Sequence, residues 1–150
     1  MEVIIFIGLQ GAGKSTFYRE RLLNTHIRIN LDMLKTRHRE QIFLKACLEA
    51  KQAFIIDNTN PTPQDRSRYI LPAKENKFRV IAYYFDSHLE ECKQRNSQRT
   101  AKEIVPLVGL IGTYKKLVLP TWEEGFDEIY SVRTDINNSF TLKEWQQQSP

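Results

Sequence analysis

The sequence has little that would point to a secreted or membrane protein. It contains 2 cysteines, Cys47 and Cys92, which lie in helical patterns without the spacing of a metal site or a disulfide framework. No apolar run approaches the roughly 18 residues that span a bilayer. The N-terminal MEVIIFIG has no basic stretch before its apolar residues, unlike a signal peptide. A reducing cytoplasm without membrane attachment is therefore the expected location.

A concentration of charge of one sign is also missing. The 22 basic and 18 acidic residues are intermixed and give a net charge of +4. Such a balance is compatible with a polyanionic partner, whether nucleotide or nucleic acid, and does not choose between them. The chain lacks the Asn-Lys-x-Asp motif with which GTPases read guanine, because the nearest match, NKFR at 76–79, ends in arginine. A signalling GTPase is thereby excluded.

What the chain does contain is a regular alternation of apolar strands and helical patterns. Strands are predicted at 3–7, 27–30, 53–56, 79–85 and, at a sheet edge, 127–133. Helices are predicted at 14–24, 33–52, 64–75, 87–99 and from Pro106 onward. This order predicts a three-layer α/β/α fold with a mostly parallel central sheet and a short helical lid. We expect one domain over 1–133 and a polar tail over 134–150 that packs back through Trp145.

Two predicted helices carry more detailed expectations. In the helix at 33–52, an i, i+1, i+4, i+5, i+8 stripe is predicted to face the core: Ile42, Phe43, Ala46, Cys47 and Ala50. The helix at 87–99 is expected to begin with a capping box in which Ser87 is the N-cap and Glu90 the N3 residue.

The strongest motif is a glycine-rich segment directly after the first strand. Residues 8–15 read GLQGAGKS and match G-x-x-x-x-G-K-[ST], the P-loop pattern that binds nucleotide phosphates through backbone N–H groups. Lys14 is predicted to reach the β- and γ-phosphates, and the Ser15 hydroxyl to ligate Mg²⁺. The predicted ATP-binding segment comprises Gly8, Leu9, Gln10, Gly11, Ala12, Gly13, Lys14, Ser15 and Thr16.

Carboxylates follow the second and third strands, where open α/β sheets bind their ligands. Asp32 suits a general base that takes the proton of an attacking hydroxyl, but it equally suits the N-cap of a helix beginning at Met33. Asp57 is predicted to support Mg²⁺ through water. The residues after it, NTN at 58–60, are alternatively simple turn formers.

Arg95 and Arg99 are spaced i, i+4 and are predicted to share one helix face. Two guanidinium groups there would clamp the transferring phosphates. The alternative is surface pairing with Glu91 or Glu103, which contributes little to stability.

Taken together, these residues resemble the polynucleotide 5′-hydroxyl kinases of the phage type and of polynucleotide kinase-phosphatases. The resemblance rests on GLQGAGKSTF (8–17), INLD (29–32), IIDNTNPTPQDRSRYI (55–70), FDSHLEECKQRNSQR (85–99), VP (105–106) and EEGFDEIY (123–130). It implies that Asp32 is the general base on a 5′-hydroxyl and that Arg95 and Arg99 are lid arginines facing the donor phosphates. Asp57 would be a supporting carboxylate.

Two positions depart from the family pattern. Leu31 stands where the family has an arginine before the base, and Lys35 stands where it has an arginine that helps to hold the acceptor. Lys35 would contact the acceptor without the bidentate geometry of a guanidinium. The expected function is ATP- and Mg²⁺-dependent phosphoryl transfer to a hydroxyl, with a 5′-OH end of RNA or DNA as acceptor. A small-metabolite kinase and a non-catalytic ATP-binding module are the alternatives, and protein partners are left open.

Overall fold

The computed structural model describes residues 1–135, 137 and 139–145. Its strands are β1 (Glu2–Ile7), β2 (Ile27–Ile29), β3 (Phe54–Ile56), β4 (Arg79–Phe85), β5 (Glu128–Thr134) and β6 (Phe140–Glu144). Its helices are α1 (Lys14–Arg21), α2 (Leu31–Leu34), α3 (Arg37–Ala50), α4 (Pro63–Glu75), α5 (Leu89–Ser97) and α6 (Leu107–Lys116), with a 3₁₀ turn at Trp122–Glu124. None of the helices described is long and apolar enough to cross a membrane.

The sheet confirms the predicted α/β architecture. Its strand order is β2-β3-β1-β4-β5-β6, in which β1 to β5 run parallel and β6 is antiparallel to β5. β1 lies in the middle, and its residues 3–7 are almost completely buried because helices cover both faces of the sheet. The side chains of β1 alternate between the two apolar clusters, one on each face. All parallel strands therefore end at one edge, where the motifs lie.

The region predicted as one helix at 33–52 is two helices. α2 ends at Lys35, whose φ of 76° is left-handed, and Thr36 caps α3 by accepting a hydrogen bond from the Arg39 N–H. Because the break comes three residues after Asp32, the predicted base lies in a short helix of a single turn.

The core-facing stripe predicted for this helix is confirmed at Cys47 and wrong at its other four positions. Ile42 and Phe43 are 53% and 47% exposed, and the buried face instead carries Glu40, Leu44, Cys47 and Leu48. Glu40 is fully buried because three neighbours satisfy its carboxylate, so α3 is rotated away from the purely apolar stripe. Its partners are Arg37, Asn58 and Tyr69.

Two further expectations need correction. α5 begins after His88, which makes no side-chain cap hydrogen bond, so Ser87 and Glu90 do not form the predicted capping box. The strand predicted at the sheet edge, β5, is internal because β6 pairs with its outer side from Tyr130 to Thr134. β6 was missed because only Phe140 of its residues is buried, which leaves almost no apolar periodicity to detect.

Part of the region predicted to be a polar tail thus lies in the sheet. After β6, the Trp145 N–H donates to the Ile129 carbonyl at 2.9 Å. The Trp145 ring meets Tyr84 edge-on with 5.7 Å between ring centroids. The last residues of the predicted tail, 146–150, lie outside the described residues.

A buried ion pair joins α4 to the 3₁₀ turn at Trp122–Glu124. The Arg66 side chain is fully buried and donates to both Glu124 carboxylate oxygens at 2.7 and 3.0 Å. It also donates to the carbonyls of Asn60 and Val118. The hydrogen bonds of Arg66 therefore link the loop after β3 to the segment that follows α6.

We expect Arg66→Met to lower the free energy of unfolding by about 3–5 kcal/mol, because it leaves a buried carboxylate and two carbonyls without their donor. Urea denaturation measures this change. The control is Lys74→Met in the same helix, which breaks the half-exposed Lys74–Asp127 pair and should cost only about 0.2–1 kcal/mol. Equal effects of the two changes would contradict the assignment.

Candidate active site

The carboxyl ends of β1, β2 and β3 open into a cleft of about 1180 Å³. The glycine-rich loop forms one wall, α2 another, and the end of α5 with the chain that follows it covers the top. The cleft brings together all the charged residues predicted to act on substrates: Lys14, Asp32, Lys35, Asp57, Arg95 and Arg99. Residues far apart in the sequence thus meet at one place.

The glycines of the loop permit close packing that a side chain would prevent. Gly11 has a φ of 79°, and a Cβ added there would lie 2.7 Å from the Cys92 carbonyl oxygen of α5. Gly13 has a φ of 96°, also in the left-handed region. The loop can therefore touch α5 while turning its backbone toward the cleft.

The predicted ATP-binding segment divides into two groups. The cleft is lined by Gln10, Gly11, Gly13, Lys14, Ser15 and Thr16. The side chains of Leu9 and Ala12 are buried in the core instead, 3% and 1% exposed. Gly8 lies against Phe85, and its N–H donates at 3.0 Å to the carbonyl of Thr59 in the loop after β3. These three residues shape the loop rather than line the cleft.

Lys14 is buried at the base of the loop. Its Nζ donates to the carbonyls of Gly8 and Leu9 at 2.8 and 2.7 Å. Burial lowers the pKa of Lys14 to about 8, and the charge of Asp57 opposes that decrease in part. The ammonium group is therefore charged at neutral pH but close to its titration.

This pKa gives a prediction for nucleotide binding. Below about pH 8 the lysine is protonated and attracts phosphate, whereas above it the free protein holds a neutral amine and must take up a proton to bind. We expect the affinity for ATP to fall by about tenfold per pH unit above pH 8. Titration with a fluorescent ATP analogue measures this dependence. Lys14→Arg, which does not titrate in this range, should flatten it, and a profile unchanged by the substitution would contradict the prediction.

Ser15 and Asp57 form a compact group of oxygens beside Lys14. The Ser15 hydroxyl donates to Asp57 Oδ2 at 3.0 Å, and Asp57 is only 3% exposed. A hydroxyl and a carboxylate that face one cleft are hard oxygen ligands of the type that Mg²⁺ prefers. The residues present therefore fit a magnesium ion held by Ser15 and, through water, by Asp57.

Sequence reasoning missed a third member of this group. Arg28 of β2 donates from Nε to Asp57 Oδ2 at 2.7 Å and from Nη2 to Ser15 Oγ at 3.2 Å. Its position in the middle of a short apolar strand gives no motif. Only the parallel pairing of β2 with β3 brings it beside the end of β3.

Asp32 lies exposed in the cleft, within the single turn of α2. It is not the helix cap that local sequence also allowed, because Asn30 accepts the hydrogen bond from the Met33 N–H and caps α2. The carboxylate of Asp32 is thus not used by the helix terminus. That removes the capping role as the explanation for this residue, whereas a solvated aspartate at a strand end stays the alternative to a general base.

The segment after Asp57 holds the neighbouring loops together, which is more than a turn requires. Asn58 Oδ1 accepts a hydrogen bond from the Leu31 N–H at 2.9 Å, directly before Asp32. Asn60 Nδ2 donates to the Phe6 carbonyl in β1 at 2.8 Å. This segment therefore fixes the turn that carries Asp32 relative to the glycine-rich loop.

The lid differs from the predicted helix in one respect. α5 ends at Ser97, so Arg99 lies beyond the helix and does not share a helical face with Arg95. Arg95 Nη1 instead donates to the Gly11 carbonyl at 3.3 Å, and both arginines line the cleft. The Asn96 side chain donates to the Val105 carbonyl and accepts from the Val105 N–H, so it links the end of α5 to the segment before α6.

A second cavity of about 380 Å³ adjoins the cleft on the far side of the loop. It shares Gly13, Thr16 and Arg95 with the cleft and is completed by Phe140 of β6, among others. Phe140 is 8% exposed and packs against Phe17, so its ring forms a fixed wall of this cavity. β6, which the sequence did not reveal, thus contributes to the site.

The sheet order, the glycine-rich loop and the lid define a P-loop kinase fold. A family model described as "AAA domain" matches residues 3–107. The chain belongs to this family.

Two curated relatives match most of the chain. A protein of Acanthamoeba polyphaga mimivirus, named provisionally as a bifunctional polynucleotide phosphatase/kinase, is 36% identical over 138 residues, covering 87% of this chain and 33% of the relative. The bifunctional polynucleotide phosphatase/kinase of Schizosaccharomyces pombe is 28% identical, with the same coverage of 87% and 33%. The resemblance found in the sequence is thereby confirmed. The chain spans about a third of the length of these relatives.

Among solved structures, Kti12 of Chaetomium thermophilum in complex with ADP-AlF3 superposes with a TM-score of 0.64 at 16% identity. The match covers 91% of this chain and 92% of that one. At this identity the likeness shows the fold alone.

Proposed function

We propose that the protein is an ATP- and Mg²⁺-dependent kinase that transfers the γ-phosphoryl group to a hydroxyl, and that its acceptor is the 5′-OH end of RNA or DNA. The observation that carries the proposal is the single cleft in which Lys14, Ser15 and the lid arginines face Asp32. Donor-binding cations and a free carboxylate on opposite walls are what phosphoryl transfer between two bound substrates requires.

On the donor side, the loop amides and Lys14 hold the β- and γ-phosphates. The base and ribose extend over Gly13 and Thr16 toward the cavity with Phe140 and Arg95. Arg99 projects from the lid into the cleft, where it faces the charge that develops on the transferring group. Closure of the lid excludes water, which would otherwise compete as the acceptor.

Ser15 and Asp57 are the residues that would hold Mg²⁺, the first directly and the second through water. When bound, the ion neutralises phosphate charge and orients the γ-phosphoryl group. The chain's own contribution is the fixed position of these oxygens, which the 3.0 Å hydrogen bond between them maintains.

On the acceptor side, Asp32 takes the proton of the attacking hydroxyl. The backbone turn that carries this exposed carboxylate is held by hydrogen bonds from the Leu31 N–H to Asn58 and from the Met33 N–H to Asn30. Lys35 stands at the end of the same turn and lines the cleft, so its ammonium group attracts the phosphate next to a 5′-OH end. The names of the two curated relatives support a polynucleotide acceptor.

The test is transfer of label from γ-labelled ATP to a panel of acceptors: RNA and DNA oligonucleotides with 5′-OH ends, nucleosides and sugars. We expect label on the oligonucleotides and none on oligonucleotides that already carry a 5′-phosphate. Label on small molecules alone would favour a metabolite kinase, which agrees with the replacement of the family's two arginines by Leu31 and Lys35. ATP binding without any transfer would favour a non-catalytic module.

A further inference from the structure

The guanidinium of Arg28 donates hydrogen bonds to both residues that would hold Mg²⁺, Ser15 and Asp57. Nε–H donates to Asp57 Oδ2 at 2.7 Å and Nη2–H donates to Ser15 Oγ at 3.2 Å. The Arg28 side chain is 26% exposed and lines the cleft, whereas the Asp57 side chain is 2% exposed. Arg28 is therefore the more exposed partner of the ion pair, and it lines the same cleft as Ser15 and Asp57.

The two interactions of Arg28 affect Asp57 and Ser15 in different ways. The ion pair gives the buried carboxylate of Asp57 a cationic partner at 2.7 Å. The hydrogen bond from Arg28 occupies one of the two lone pairs of Ser15 Oγ, so the metal is restricted to the other and must bind beside the guanidinium. A divalent ion at Ser15 would also lie within a few ångströms of the guanidinium charge and be repelled by it.

We propose that Arg28 is a positioning residue that competes with Mg²⁺ for the oxygens of Ser15 and Asp57, so that it sets the Mg²⁺ concentration at which nucleotide binds. The inference rests on the proposed function, because it assumes that Mg²⁺ accompanies the nucleotide. As Mg²⁺ enters with ATP, the Nη2 hydrogen bond to Ser15 is released and the guanidinium keeps its contact with Asp57 or turns toward the phosphates.

Arg28 is well placed to move in this way. It lies on β2, a three-residue edge strand that pairs on one side with β3. Its neighbour Ile29 is buried and fixes the backbone, while Arg28 itself keeps a partly exposed side chain. The long side chain can therefore change partners without disturbing the sheet.

The experiment measures binding of a fluorescent ATP analogue as Mg²⁺ is titrated, without any acceptor. For Arg28→Met, which keeps the length of the side chain and removes its charge, we expect the half-saturating Mg²⁺ concentration to fall by about five- to tenfold. Arg28→Lys keeps the charge but lacks the fork that reaches both oxygens, so we expect a smaller decrease of about twofold. The thermal midpoint of each variant is recorded alongside.

The control is Arg79→Met, which removes the same charge from a pair with Glu128 at the amino end of β4, away from the cleft. It should leave the Mg²⁺ dependence unchanged. If Arg28→Met does not fold because Asp57 is left unpaired, Arg28→Lys decides the question. An unchanged or higher Mg²⁺ requirement in the folded Arg28 variants would overturn the inference.

The wild-type titration separates this inference from the proposed function. If Mg²⁺ has no effect on nucleotide binding by the wild type, the metal-dependent function and the inference both fail. If the wild type responds to Mg²⁺ and the Arg28 variants respond in the same way, the inference alone fails.

Discussion

Replacing Asp32 with asparagine is expected to lower kcat for phosphoryl transfer by about 10²–10⁴-fold, the usual contribution of a general base. Asparagine keeps the shape of the side chain but cannot take a proton from the hydroxyl. Because Asn30 rather than Asp32 caps α2, the substitution should not disturb the turn. Steady-state kinetics with saturating ATP and a 5′-OH oligonucleotide give the measurement.

The affinity for ATP should change by less than about twofold in the same variant, since Asp32 lies on the acceptor side of the cleft. The matched control is Asp86→Asn. Asp86 is also an exposed aspartate at the carboxyl end of a parallel strand, β4, but it lies outside the lining of the cleft. Full activity of Asp32→Asn, or an equal loss in Asp86→Asn, would remove Asp32 from the mechanism.

The glycine-rich loop and the strand-end positions could be predicted because their signals are local. GLQGAGKS after an apolar strand specifies strand, loop and helix together, and the structure has each at the expected place. Asp32 and Asp57 follow strands whose carboxyl ends share one edge in any parallel sheet. Their convergence on one cleft follows from the strand order, so the chain's alternation was sufficient to predict it.

The parts that were missed depend on contacts between distant segments. Arg28 acquires its partners only through the register of β2 with β3, which no local pattern records. Glu40 is buried because Tyr69 and Asn58 satisfy its carboxylate, so α3 turns a charged residue inward and two large apolar residues outward. A periodicity argument assigns the opposite face.

β6 was also missed because contacts with distant segments, rather than its own sequence pattern, fix its position. Its four exposed positions include a single apolar residue, Leu142, and the strand is held by backbone pairing with β5 and by the burial of Phe140. Phe140 packs edge-on against Phe17 of α1 with 5.2 Å between ring centroids. The same ring lines the cavity beside Gly13, so a strand that looks like a tail in the sequence borders the glycine-rich loop.

Arg99 gives the second large effect. We expect Arg99→Ala to lower kcat by about 10²–10³-fold, because it removes a donor aimed at charge that develops during transfer. If the guanidinium acts only in the transition state, kcat and kcat/KM should fall by the same factor. Arg99→Lys should recover only part of the rate, since an ammonium group cannot make two parallel hydrogen bonds to the phosphoryl oxygens.

The neighbouring Arg95 should behave differently, because it already donates to the Gly11 carbonyl and borders the second cavity. For Arg95→Ala we expect the main effect on KM for ATP. Arg68→Ala, which removes an exposed arginine of α4 outside the cleft, controls for the change in net charge. If Arg99→Ala raised KM for ATP without lowering kcat, Arg99 would be a nucleotide-binding residue, and stabilisation of the transferring group would have to come from Lys14 and the loop amides.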